Sequence, residues 1–130
     1  MRNTRRMASF FIILLLGTLG AINPGQGDCG NPKLTQVVYL TTSKACGCLL
    51  ETCKAGDKVM AEVFVDARLP LLERVDMARD RGTFSHYMKE YRLVTIPAVI
   101  FLDQEGNLLW SAVGPLHKDD IIAKLKQFGT

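Results

Sequence analysis

The chain has 130 residues, 48% of them apolar, which suits one domain with a core of its own. Its formal charge of +3 equals the contribution of Arg2, Arg5 and Arg6, so the rest of the chain is formally neutral and has no field to attract nucleic acid or an anionic membrane. There is no basic stripe and only one Trp, Trp110, so no nucleic-acid partner is expected. Met1 to Met7 carries three arginines and no acid, and Ala8 to Ile22 is then almost continuously apolar. These are the n-region and h-region of a secretory signal. The run is shorter than the ~20 residues of a membrane-spanning helix, so membrane contact is expected only through this segment if it stays uncleaved. The reading is a signal peptide over 1–27, a flexible lead-in over 28–36 and one domain over 37–130. The expected location is periplasmic or otherwise extracytoplasmic.

Along the domain, Gln36 to Thr41 is a short apolar, β-branched run that reads as a buried strand. Cys46 to Ala55 reads as a short helix stopped by Gly56 and Asp57. Ala61 to Asp66 reads as a second strand, parallel to the first through a right-handed crossover. Leu69 to Arg81 has Leu71, Val75 and Ala78 at helical spacing, with Gly82 as its stop. Phe84, Tyr87, Met88 and Tyr91 follow at i, i+3, i+4 and i+7 behind Thr83 as N-cap, and this stripe reads as core packing. Ala98 to Leu102 is a third strand, Asp103 to Asn107 a hairpin turn, and Leu108 to Val113 the returning strand. Gly114-Pro115 breaks that strand before a last helix from Lys118 to Phe128, whose first turn carries Asp119 and Asp120. The sum is an α/β fold, one mixed sheet covered by helices.

The segment from Tyr91 to Asp103, Tyr-Arg-Leu-Val-Thr-Ile-Pro-Ala-Val-Ile-Phe-Leu-Asp, resembles the stretch around the cis-proline of the thioredoxin superfamily. Gly106 matches the hairpin glycine of that family, and Gly114 the glycine before its last helix. The resemblance covers roughly Val37 to Phe128 and implies a thioredoxin-like fold. It also implies that Pro97 is cis and that the backbone of Ile96 docks extended substrate chains. Where the family has Trp-Cys-x-x-Cys, this chain has Ala45-Cys46-Gly47-Cys48-Leu49. If Cys46 is the first cysteine, Ala45 takes the place of the Trp and Leu49 stands where the second cysteine belongs; alternatively Cys48 is the second cysteine and Ala45 has replaced the first. The acid found in many thioredoxins on the preceding strand is missing from Val37 to Leu40.

Of the four cysteines, Cys29, Cys46, Cys48 and Cys53, three lie within eight residues. In an oxidising compartment such thiols can pair. A helix N-terminus favours the thiolate of Cys46, and Cys48 can close a small, strained ring with it across Gly47. Cys53 lies on nearly the same helical face as Cys46 but roughly 10 Å along the axis, too far for a disulfide unless the first turn unwinds. The expected activity is thiol–disulfide exchange without a cofactor. Cys46 attacks, Cys48 resolves and Cys53 is the alternative resolving thiol. The partners are protein thiols and disulfides and a redox partner protein. The competing reading uses Cys46, Cys48 and Cys53 as thiolate ligands of a soft ion such as Cu(I) or Zn(II), with Cys29 or a distant His as fourth ligand. His86 and His117 read as surface residues.

Overall fold

The computed structural model describes residue 30 and residues 32–129. The signal segment and Cys29 lie outside the described residues. The elements in chain order are β1 (Gln36–Thr41), α1 (Gly47–Val63), a 3-10 turn (Asp66–Leu71), β2 (Leu72–Asp76), α2 (Arg81–Glu90), β3 (Ala98–Leu102), β4 (Leu108–Val113) and α3 (Lys118–Gln127). The sheet order is β2-β1-β3-β4, with β1 parallel to β2 and antiparallel to β3, and β4 antiparallel to β3.

Side chains alternate across the two central strands and divide the core. Val37 and Tyr39 of β1 and Val99 and Phe101 of β3 meet Met60 and Val63 of α1 and Ile121 and Leu125 of α3. Leu34, in the segment read as lead-in, is buried in the same cluster. On the other face, Val38, Leu40, Ala98 and Ile100 meet Val75 of β2 and Phe84 of α2, with Tyr87, Met88 and Tyr91 packed beside them. Leu49 and Cys53, from the first half of α1, join this second cluster.

Three local expectations are corrected. First, α1 does not stop at Gly56 but runs 17 residues to Val63. Its buried residues Cys53, Gly56, Met60 and Val63 form one helical stripe that a glycine conceals in the sequence. Second, Ala61 to Asp66 is therefore the end of that helix and the start of a 3-10 turn, not a strand. The second strand is Leu72–Asp76, inside the stretch read as a helix. Its residues pair with β1 in register from Val37–Leu72 to Thr41–Asp76, so sheet hydrogen bonding overrides the fortuitous spacing of Leu71, Val75 and Ala78. Third, α2 begins earlier than expected. Asp80 is its N-cap, accepting from the Thr83 N–H at 3.0 Å, and Gly82 lies in the first turn.

Gly56 sits where α1 crosses β1. A Cβ there would lie 2.6 Å from the Tyr39 hydroxyl and 3.3 Å from Cγ of Pro97. The Tyr39 hydroxyl donates to the Cys53 carbonyl at 3.1 Å, so helix, strand and proline loop meet at this one point. Burial pushes the Tyr39 phenol well above its ordinary range, which keeps it a donor. Gly56→Ala should therefore destabilise the protein by about 1–3 kcal/mol through overpacking, despite the better helix propensity of Ala. Gly47→Ala, where a Cβ meets nothing within 4 Å, should change stability by no more than about 0.5 kcal/mol. Urea unfolding of the two variants checks this, and an unchanged midpoint for Gly56→Ala would refute the close approach.

Candidate functional site

β1 ends at Thr41, and a tight loop leads into α1. The Thr42 hydroxyl donates to the Lys44 carbonyl at 3.0 Å and accepts from the Lys44 N–H at 3.3 Å. Cys46 is the N-cap residue, extended at φ −62° and ψ 157°, and its carbonyl accepts the Leu50 N–H at 2.9 Å. Its side chain makes no capping hydrogen bond. Cys48 is the second helical residue, and its carbonyl accepts from the Thr52 hydroxyl at 3.0 Å. Both thiols are exposed and unpaired, with their sulfurs 3.9 Å apart. They occupy the end of the helix where N–H groups lack intrahelical acceptors and the dipole favours negative charge.

Beside this turn runs an open groove of about 390 Å³. Cys48, Leu49 and Thr52 line it from α1, and Thr95, Ile96, Gly114 and Pro115 line it from the facing loops. The Ile96–Pro97 peptide bond is cis. The Pro97 carbonyl accepts the Gly114 N–H at 2.7 Å, which joins the two loops that form that wall. Gly114 has φ +81°, a left-handed conformation suited to glycine. Arg92 also adopts positive φ, 51°, at the end of α2. It stands where the resembling stretch of the thioredoxins has glycine. Of the two exposed cysteines, Cys48 and not Cys46 is among the residues lining this groove. Leu49, next along the helix, is packed against the second cluster.

Cys53 is separated from the other two thiols by the helix itself. It is 0% exposed and lies among the side chains of the second cluster. Five residues after Cys48 it points roughly 140° away around the helix, and seven after Cys46 it lies two turns along the axis. Among the described residues no three His, Cys, Asp or Glu side chains are gathered as a metal-binding group. The competing trithiolate arrangement of Cys46, Cys48 and Cys53 is not gathered among the described residues, because a regular first turn keeps Cys53 apart. His86 and His117 are both exposed.

The residues that hold the cysteine loop in place are polar and were not singled out by sequence. Asp57, read as a helix stop, accepts from the Thr41 hydroxyl at 3.3 Å and pairs with Arg74 of β2 at 3.0 Å. Asp76 at the end of β2 is 5% exposed. Its Oδ1 accepts the N–H of Ser43 at 3.0 Å and of Ala78 at 2.9 Å, and Oδ2 has no hydrogen-bond partner. The guanidinium groups of Arg74 and Arg79 stand 3.9 Å from Oδ2. Ser43 lies three residues before Cys46, so Asp76 pins the loop that delivers the first thiol. No sequence signal marked Asp76, since its strand read as helix. Tyr39 did carry one, as the single phenol in a largely aliphatic strand, whose hydroxyl must find a partner when buried.

Burial raises the Asp76 carboxyl, but the hydrogen bonds from Ser43 and Ala78 and the charge of Arg74 outweigh it and hold the group below the usual carboxylate range. A depressed folded pKa contributes stability above the unfolded value of about 3.9 and loses it as pH falls through that value toward the folded one. Asp76→Asn should therefore cost about 1–3 kcal/mol at neutral pH. Its deficit against wild type should shrink below about pH 4. Equal deficits at pH 3 and pH 7 in denaturant unfolding would show that the charge of Asp76 has no part in stability.

No family model and no curated protein matches the sequence. Solved structures do match the fold. The reduced thioredoxin pre-protein of Schistosoma mansoni superposes with a TM-score of 0.53 at 19% identity, over 75% of this chain and 82% of that one. The thioredoxin of Malassezia sympodialis (Mala s 13) gives 0.51 at 17% identity, over 76% and 82%. The oxidised C-terminal domain of DsbD from Neisseria meningitidis gives 0.50 at 20% identity, over 73% and 79%. At such identities the likeness is one of fold: the chain has the mixed sheet and flanking helices of the thioredoxin-like fold.

Proposed function

We propose that this chain is an exported thiol–disulfide oxidoreductase whose working pair is Cys46 and Cys48. The observation that carries the reading is the pair itself: two exposed thiols 3.9 Å apart in the first turn of a helix, beside the Ile96–Pro97 groove. Fold analogy with the thioredoxins adds a prior and no more. Location outside the cytoplasm rests on the arginine-rich start and the apolar run that follows it.

The helix end favours Cys46 as the attacking thiol, whereas the groove, which Cys48 lines, supports the reverse order, and we adopt the reverse order here. Cys48 is the sulfur that a chain lying along Thr95 and Ile96 would meet. Its thiolate attacks one sulfur of a substrate disulfide, forming a mixed disulfide and releasing the other substrate sulfur as a thiolate, which takes up a proton. Cys46, having lost its proton to solvent, then attacks Cys48, closing the Cys46–Cys48 disulfide and releasing the second substrate thiol. Two electrons pass from the pair to the substrate. The sulfurs must close from 3.9 Å to about 2.05 Å, and Gly47, with open space where a Cβ would be, lets the turn adjust. A redox partner protein restores the reduced pair, and run backwards the same steps oxidise a dithiol.

Reduction of insulin disulfides with dithiothreitol as electron source tests the reading. Wild type should accelerate it, and Cys46→Ser and Cys48→Ser should each return the rate to background. Cys53→Ala should keep activity. With a disulfide-bonded model peptide, Cys46→Ser should accumulate a mixed disulfide on Cys48. No acceleration by wild type would overturn the function, and a mixed disulfide found only on Cys46 in Cys48→Ser would reverse the order of attack.

A further inference from the structure

The sulfur spacing carries a second consequence, independent of redox exchange. A tetrahedral Zn(II) ion with Zn–S bonds of about 2.3 Å separates neighbouring sulfurs by ~3.8 Å. Cys46 and Cys48 already stand 3.9 Å apart, both exposed, so the pair spans one edge of such a tetrahedron without rearrangement. Two positions on the ion would remain open, and among the described residues no third Cys, His, Asp or Glu joins the pair. We infer that the Cys46–Cys48 pair is half of a tetrathiolate zinc site, completed by the same pair from a second copy of this chain.

A second copy is the occupant that the surroundings favour. A two-fold axis through the ion supplies the missing pair with the same spacing, as an isologous contact requires. Two apolar side chains beside the groove are uncovered: Val94 is 85% exposed and Val113 38%, next in sequence to Thr95 and Gly114 of its lining. Such an apolar rim suits burial against another protein surface better than open water. Lys44, exposed two residues before Cys46, brings one positive charge per copy. Two copies of it offset the two net negative charges of Zn(II) held by four thiolates. Each of the four thiols releases its proton to solvent on ligation. Metal binding and disulfide exchange then compete for the same sulfurs.

Native mass spectrometry and light scattering of the reduced full-length chain, titrated with zinc chloride, test this. The expected species is two chains with one zinc ion, reverting to single chains on addition of EDTA. Cys46→Ser and Cys48→Ser, both at exposed positions, should each lose the zinc-dependent dimer, and Cys29→Ser should retain it. Zinc bound to single chains, no zinc bound at all, or loss of the dimer in Cys29→Ser would each overturn the inference. Insulin reduction measured on the zinc-free protein separates the two readings. A zinc dimer without exchange activity sinks the oxidoreductase alone, and activity without a zinc dimer sinks the metal site alone.

Discussion

The contact on which the site depends is the passage of α1 over β1 at Gly56. The missing side chain lets the helix backbone settle against the Tyr39 hydroxyl and the ring of Pro97. The Tyr39 hydrogen bond to the Cys53 carbonyl then fixes the rotation and height of the helix. Once that rotation is set, helical geometry assigns the rest. Cys53, Gly56, Met60 and Val63 turn inward, while the first turn, with Cys46 and Cys48, clears the end of the sheet and faces solvent. The same contact brings the proline loop alongside that turn, which places Ile96 opposite Cys48 across the groove.

A polar network secures the other end of the arrangement. Asp57 on α1, Arg74 on β2, Asp76 after it, and Thr41 and Ser43 of the loop are linked by hydrogen bonds and ion pairs. The Asp57–Arg74 pair is about 40% exposed and, as a surface pair, contributes on the order of 0–1 kcal/mol. Asp76 is different, because its charge is buried and its Oδ1 accepts the backbone N–H of Ser43 in the cysteine loop and that of Ala78 just after β2. Hydrogen bonds to a charged group are worth more than an exposed ion pair. Neither carboxylate lies on β1, the strand that bears a buried acid in many thioredoxins, so this chain places its charge beside the cysteine loop rather than beneath it.

The Cys-Gly-Cys spacing, set against the Cys-x-x-Cys of the family the sequence resembles, gives the thiols different surroundings. With Leu49 in the place of the second cysteine, that helical position packs into the core rather than presenting sulfur. The partner thiol is instead one residue earlier, on the exposed side of the turn. Both sulfurs are therefore open to solvent at once, a state suited equally to a substrate disulfide and to a thiophilic ion.

Much of the architecture was legible in the residues. The strands at Gln36–Thr41, Ala98–Leu102 and Leu108–Val113 and the final helix declared themselves through β-branched runs, a hairpin turn and a single apolar face, all local signals. The Ile96–Pro97 segment and the cysteine cluster carry the resemblance that points to the fold. What the chain alone left undetermined was everything that depends on two segments meeting. Gly56 looks like a helix stop until Tyr39 and Pro97 are seen to occupy the space its side chain would need. Leu72–Asp76 has helical spacing until β1 offers it a row of hydrogen-bond partners. Cys48 and Cys53 are equivalent as residues, and only the packing of α1 makes one an exposed thiol in a groove and the other part of the core. Local sequence sets the period of a helix, but the face it buries is chosen by what lies beneath it, and that choice belongs to the tertiary structure.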